Sequence, residues 1–136
     1  MFELFEHTAD IGIRARAETL ETLLADAARG LFSVIAANLD AVRPLEALNL
    51  KIKGKDHDDL LFDWLDELLY TFNSKHLLFR EFDVTIRPEG LEAVVRGEPI
   101  DPARHELHME VKAITYHRLK VEQDGSGWLA EVIVDI

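Results

Sequence analysis

The 136-residue chain contains no cysteine. Disulfides and thiolate metal sites are therefore excluded, and any bound metal must be held by oxygen or nitrogen. Long apolar runs are missing too, since none approaches the roughly 20 residues that span a bilayer. The opening residues Met1-Phe2-Glu3-Leu4-Phe5-Glu6 lack the basic region and apolar core of a secretory signal, so a cytoplasmic location is the expectation. Positive charge is scarce: 15 Lys and Arg face 26 Asp and Glu, a formal net charge of −11. Such a field repels phosphate backbones and argues against strong direct nucleic-acid binding. It suits cations or a basic protein surface, or simple solubility. Gly125-Ser126-Gly127 lacks the following helix and lysine of a phosphate-binding loop. The few serines have no nucleophile-elbow context, and the six histidines make neither a His-Glu-x-x-His nor a finger spacing. An autonomous hydrolase of a standard type is not legible.

What is present fits one compact folding unit over residues 1–136, with 48% hydrophobic residues and a mean hydropathy of −0.04. Glu3 to His7 reads as a short strand, and Ile11, Ile13, Ala15 and Ala17 alternate with Gly12, Arg14 and Arg16 as a second. Thr19 is placed to cap an amphipathic helix carrying Leu20, Leu23, Leu24, Ala27, Ala28, Leu31 and Ile35. Leu48, Leu50 and Ile52 give a third strand. Asp56 or Asp58 can cap a second helix whose apolar stripe is Leu61, Leu65, Leu68 and Phe72. Asp63, Asp66 and Glu67 lie off that stripe, ordinarily the mark of a solvated face. Strands follow around Phe82–Ile86 and Leu91–Val95. A turn-rich loop is expected over 97–105, then strands over 107–114 and 116–123. The predicted class is α+β: a mostly antiparallel sheet with two amphipathic helices packed on one face.

The last stretch, Trp128 to Ile136, is an apolar, β-branched strand that ends in Asp135 and a main-chain carboxylate. Adjacent negative charges repel unless water or a cation neutralises them, and hard cations take oxygen ligands of this kind. A solvated terminus is the plain alternative. If Asp124 to Gly127 forms the hairpin loop, Gln123 faces Trp128, and an unbroken register sets Tyr116 opposite Asp135 and Thr115 opposite Ile136. Lys112 would then share a face with Tyr116 about 13 Å further along the strand. Asp10, between two strands, can project from a sheet end as a carboxylate partner to Asp135. His7 and His117 sit at strand ends beside the same place. His57 and His76 flank the second helix as surface residues.

Five stretches taken together resemble the archease family. They are His7-Thr8-Ala9-Asp10-Ile11-Gly12, Asp63-Trp64-Leu65-Asp66-Glu67-Leu68-Leu69-Tyr70, Gly97-Glu98-Pro99, Glu110-Val111-Lys112-Ala113-Ile114-Thr115-Tyr116-His117 and Val134-Asp135-Ile136. The resemblance spans the whole chain. It implies an archease-like fold and a protein cofactor, not an enzyme, that serves the GTP-dependent RNA ligase of the RtcB type in tRNA splicing. Such cofactors promote guanylylation of the ligase and restore its turnover. The resemblance further implies a divalent cation (calcium, magnesium or manganese) held by Asp10, Asp135 and the Ile136 carboxylate. It also implies a functional role for Lys112, with His7, Tyr116 and His117 as candidate supporting residues. The competing implication is a chaperone or specificity factor for a tRNA-modifying enzyme such as a methyltransferase. A small metal-dependent enzyme with its own substrate is the third possibility, and the lack of a nucleophile–base pair speaks against it.

Overall fold

The computed structural model describes residues 1–7 and 9–136; Thr8 of the His7–Asp10 stretch lies outside the described residues. Among the described residues eight strands and two α-helices follow in the order β1 (Phe2–His7), β2 (Asp10–Ala17), α1 (Leu20–Ile35), β3 (Glu46–Lys53), α2 (His57–Lys75), β4 (Leu77–Arg87), β5 (Gly90–Pro99), β6 (Ala113–Ile114), β7 (Lys120–Asp124) and β8 (Gly127–Asp135). The α+β class stands. The strands divide, however, into two antiparallel sheets. One runs β1-β2-β8-β6, with β7 also paired to β8, and the other is β3-β5-β4.

Both helices begin where a side chain can satisfy a free amide. Thr19 accepts from the Thr22 N–H and Asp56 from the Asp59 N–H. Asp58, the other candidate cap, instead accepts from the Val121 N–H at 2.7 Å and ties α2 to β7. The first helix is less amphipathic than its sequence suggests. It packs on β2 of the larger sheet and on β4 of the smaller, so Ala25, Ala27, Ala28 and Gly30 are buried along with the leucines. A helix covered on two sides needs small residues where sheets approach closely. The second helix keeps one wet face, and its Trp64 indole donates to the Leu24 carbonyl at 2.9 Å, joining the helices inside the core.

Three expected elements change. Residues 97–99 are the end of β5 and not the start of a loop, because Gly97 lies so close to Leu78 that a Cβ would sit 1.7 Å from its carbonyl oxygen. The expected strand over 107–114 shrinks to Ala113–Ile114. Its earlier part is an extended strap along the end of α1, held by His108 N–H to Ile35 O and Met109 N–H to Val34 O. The expected strand over 116–123 is a turn followed by the short β7, with Leu119 N–H donating to Tyr116 O and Arg118 at φ 57°.

Candidate functional site

That turn changes the register on which the site depends. Near the hairpin loop the expected pairing holds, with Gln123 opposite Trp128. Beyond the turn, Ala113 and not Tyr116 is the partner of Asp135, a shift of three residues. Thr115 bonds the Ile133 carbonyl, through its N–H at 3.1 Å and its hydroxyl at 2.8 Å, instead of facing Ile136. The correction brings Lys112 nearer: its main-chain N–H donates to the Asp135 carbonyl at 2.7 Å. The Lys112 side chain is exposed. Tyr116 leaves the site altogether, its ring lying flat on Phe62 of α2 at 4.0 Å between centroids.

Across the sheet end, the pairings His7 with Asp10, Asp10 with Asp135 and Asp135 with Ala113 line up in one transverse row. Directly opposed residues of antiparallel strands share a face and have Cα atoms about 4.5–5.5 Å apart. The carboxylates of Asp10 and Asp135, both half-buried, therefore stand side by side. Among the described residues no lysine, arginine or histidine forms an ion pair with either of them or with the Ile136 carboxylate. His7 and His117 do meet here, their rings 4.9 Å apart, and the Nδ1 of His7 is buried without a hydrogen-bond partner among the described residues. Ala9 holds a φ of 67°, the left-handed region that costs a residue with a Cβ about 1 kcal/mol. The tip thus combines unneutralised charge with backbone strain.

Whether these residues suit a cation is a question of donors. Two aspartates and a terminal carboxylate are an all-oxygen set, which fits magnesium, calcium or manganese better than zinc. No group of three or more His, Asp or Glu side chains among the described residues is arranged to hold a metal.

Two buried carboxylates elsewhere escaped the sequence reading. Glu131, opposite Arg14 on the outer face of the larger sheet, is gripped by Arg14 at 2.6 Å and Arg118 at 3.1 Å, and both guanidinium groups lie over the Phe5 ring. Glu98, 3% exposed, takes hydrogen bonds from the Arg43 N–H at 2.6 Å, the Arg43 and Arg104 guanidinium groups and the ring of the buried His105. Burial pushes the Glu98 carboxyl up, but those hydrogen bonds together outweigh it and hold the group far below the usual carboxylate range. The Glu98 cluster fixes the start of the strap that ends at Lys112. Only the Gly97-Glu98-Pro99 stretch of the resemblance hinted at it.

Comparison with known proteins places the whole chain in a family. The sequence model of the archease protein family matches residues 2–136, a span that includes Asp10, Lys112 and Asp135. The chain belongs to the archease family. It is 45% identical to a protein archease of Methanopyrus kandleri over 99% of both chains, and 41% identical to that of Pyrococcus abyssi over 99% of this chain and 98% of the other. The solution structure of a Methanobacterium thermoautotrophicum protein superposes with a TM-score of 0.87 at 35% identity, covering 99% of this chain and 98% of that one. A Thermotoga maritima archease, described as a possible chaperone, superposes with a TM-score of 0.68 at 25% identity over 100% and 98%. Archease membership accounts for the fold seen here. No helix among the described residues is long and apolar enough to cross a membrane.

Proposed function

We propose that this archease-family protein is an activator of a GTP-dependent RNA ligase of the RtcB type in tRNA splicing, promoting ligase guanylylation and repeated turnover without joining RNA itself. The observation that carries the reading is the register pairing of Asp10 with Asp135 at a sheet end, two carboxylates with no protein cation among the described residues. Asp10, Asp135 and the Ile136 carboxylate would hold a divalent cation. When bound, such a cation supplies positive charge against phosphate oxygens. The chain's own contribution is positioning. Strand β8 is clamped between β2 and β6, so Asp135 is held on both sides. Lys112, tied by its amide to Asp135, has an exposed side chain that could offset phosphate charge during nucleotidyl transfer. The partner and its GTP come from the family resemblance, and the net charge of −11 is compatible with a protein that works on a ligase and not on RNA.

The test is to incubate purified ligase with labelled GTP and divalent metal, with and without this protein, and to follow labelled ligase. Asp10→Ala, Asp135→Ala and Lys112→Ala should each lose stimulation while remaining folded. Residues appended after Ile136 should weaken it as well. Wild-type stimulation by Asp10→Ala and Asp135→Ala would remove the tip from the mechanism. A second reading is a chaperone or specificity factor for a tRNA-modifying enzyme, favoured by the description of the Thermotoga relative as a possible chaperone. It requires suppression of partner aggregation that survives both chelation and loss of Lys112.

A further inference from the structure

The wet face of α2 carries more than charge. Asp59, Asp63, Asp66 and Tyr70 fall at i, i+4, i+7 and i+11, one stripe along the helix, and all four are exposed. Tyr70 is 66% exposed, as is Tyr116, and these are the only two tyrosines in the chain. Tyrosine is enriched where proteins meet. Tyr116 is also already oriented: its ring is parallel to that of Phe62, within 8°. Phe62 lies three residues after Asp59 and four before Asp66, so the stack stands beside the aspartate stripe. Phe62 covers one face of the Tyr116 ring, and the exposure of the residue leaves the other face open. Such a preset aromatic loses little freedom on binding.

The charge on this face is unanswered from within. Among the described residues none of Asp59, Asp63, Asp66 or Glu67 forms an ion pair, whereas Glu3, Glu92, Glu98 and Glu131 all do. Asp56 and Asp58 are spent on a helix cap and on β7. Partial desolvation, followed by the charges of Asp59 and Asp66, raises the Asp63 carboxyl above its ordinary range. A flat aromatic face next to a row of carboxylates fits one side chain best. A guanidinium stacks on an aromatic ring and forks to carboxylates at its edge.

We propose that the Asp59–Asp63–Asp66 stripe, flanked by Tyr70 and the Phe62–Tyr116 stack, is a docking face for an arginine-bearing basic surface of a protein partner. Naming that partner as the RNA ligase rests on the reading above. A surface built to bind RNA phosphates presents arginines in rows, and α2 offers it a matching row of negative charge. The tip then does the activating and α2 the holding, on separate elements.

Two measurements decide this. Binding kinetics to the purified ligase are read at about 0.1 M and about 1 M salt, where the screening length falls from about 10 to about 3 Å. The combined Asp59→Asn, Asp63→Asn and Asp66→Asn protein should associate about tenfold more slowly at low salt and like wild type at high salt. Tyr116→Ala should dissociate about tenfold faster. Both should still drive guanylylation fully when supplied in excess. If wild type binds and stimulates while these variants match its kinetics, the docking face is wrong and the ligase reading stands. If wild type neither binds nor stimulates, the ligase reading fails, and the second measurement decides the face alone. An arginine-rich peptide titrated onto isotope-labelled protein should shift amide resonances at residues 59–70 and 116, and the triple variant should lose those shifts. Shifts confined to other residues, or unchanged in the variant, overturn the docking face whatever the ligase does.

Discussion

Glu98 near the end of β5 and Asp135 at the end of β8 are both strand-end carboxylates, and the fold treats them in opposite ways. Glu98 is enclosed and met by two arginines, a histidine ring and a main-chain amide. Asp135 is half-buried beside a second aspartate with no protein cation among the described residues. A buried carboxylate with every lone pair answered holds structure together and has nothing left to offer a ligand. Two adjacent carboxylates with no protein cation remain open to water or to a cation. The difference separates a carboxylate whose partners are all within the fold from a pair that the fold leaves open.

The sharpest way to break the comparison is to remove each acid in turn. Glu98→Ala strands the buried His105 ring and the Arg43 amide, and should cost about 3–5 kcal/mol in urea unfolding. In metal-free buffer Asp135→Asn should change stability by less than about 1 kcal/mol, because it relieves repulsion from Asp10. Equal losses would erase the distinction. Next in size is the response to a cation. Calcium or magnesium at about a hundred times its dissociation constant should add about 2.7 kcal/mol to wild type, and nothing to Asp135→Asn. Thermal unfolding with and without chelator reads this.

Acid sharpens the other side. The Glu98 carboxyl lies below its usual value of 4.5 when folded, so the unfolded chain takes up the proton first. Its contribution to stability is complete above about pH 4.5 and is lost as the pH falls from there toward the folded value. Glu98→Gln should therefore show a shallower loss of stability with acid than wild type, from a lower starting point. Urea midpoints collected from pH 7 down to about pH 3 would show it. The smallest effect concerns strain at the tip. Ala9→Gly should stabilise the protein by about 0.5–1 kcal/mol, since glycine occupies a positive φ without penalty. A destabilised variant would mean that the alanine methyl is held by contacts worth more than the strain.

Much of this could be read from the chain directly. Alternation gave most of the strands, and 3.6-residue spacing with Thr19 and Asp56 gave both helices and their starts. Those signals arise between residues a few positions apart, and so does the hairpin contact of Gln123 with Trp128. The strap misled because its alternation is real while the amides of His108 and Met109 go to the end of α1, and only at Lys112 does the chain reach the sheet. The Glu98 cluster drew Arg43 from the loop before β3, Glu98 from β5 and Arg104 and His105 from the loop beyond it, and no local pattern announces such a meeting.

The tip shows where the boundary falls. Local pattern and composition dictate that Trp128 to Asp135 is a β-branched strand, that acids outnumber bases, and that no thiolate can serve a metal. Long-range packing is what lays β2 against β8 so that Asp10 pairs with Asp135, and a turn at 116–119 sets Ala113 and the Lys112 amide there in place of Tyr116. The reason is physical. Periodicity is set by each residue's neighbours along the chain, whereas register between distant strands is set by how the whole core packs, and three residues taken up in one turn move every partner beyond it.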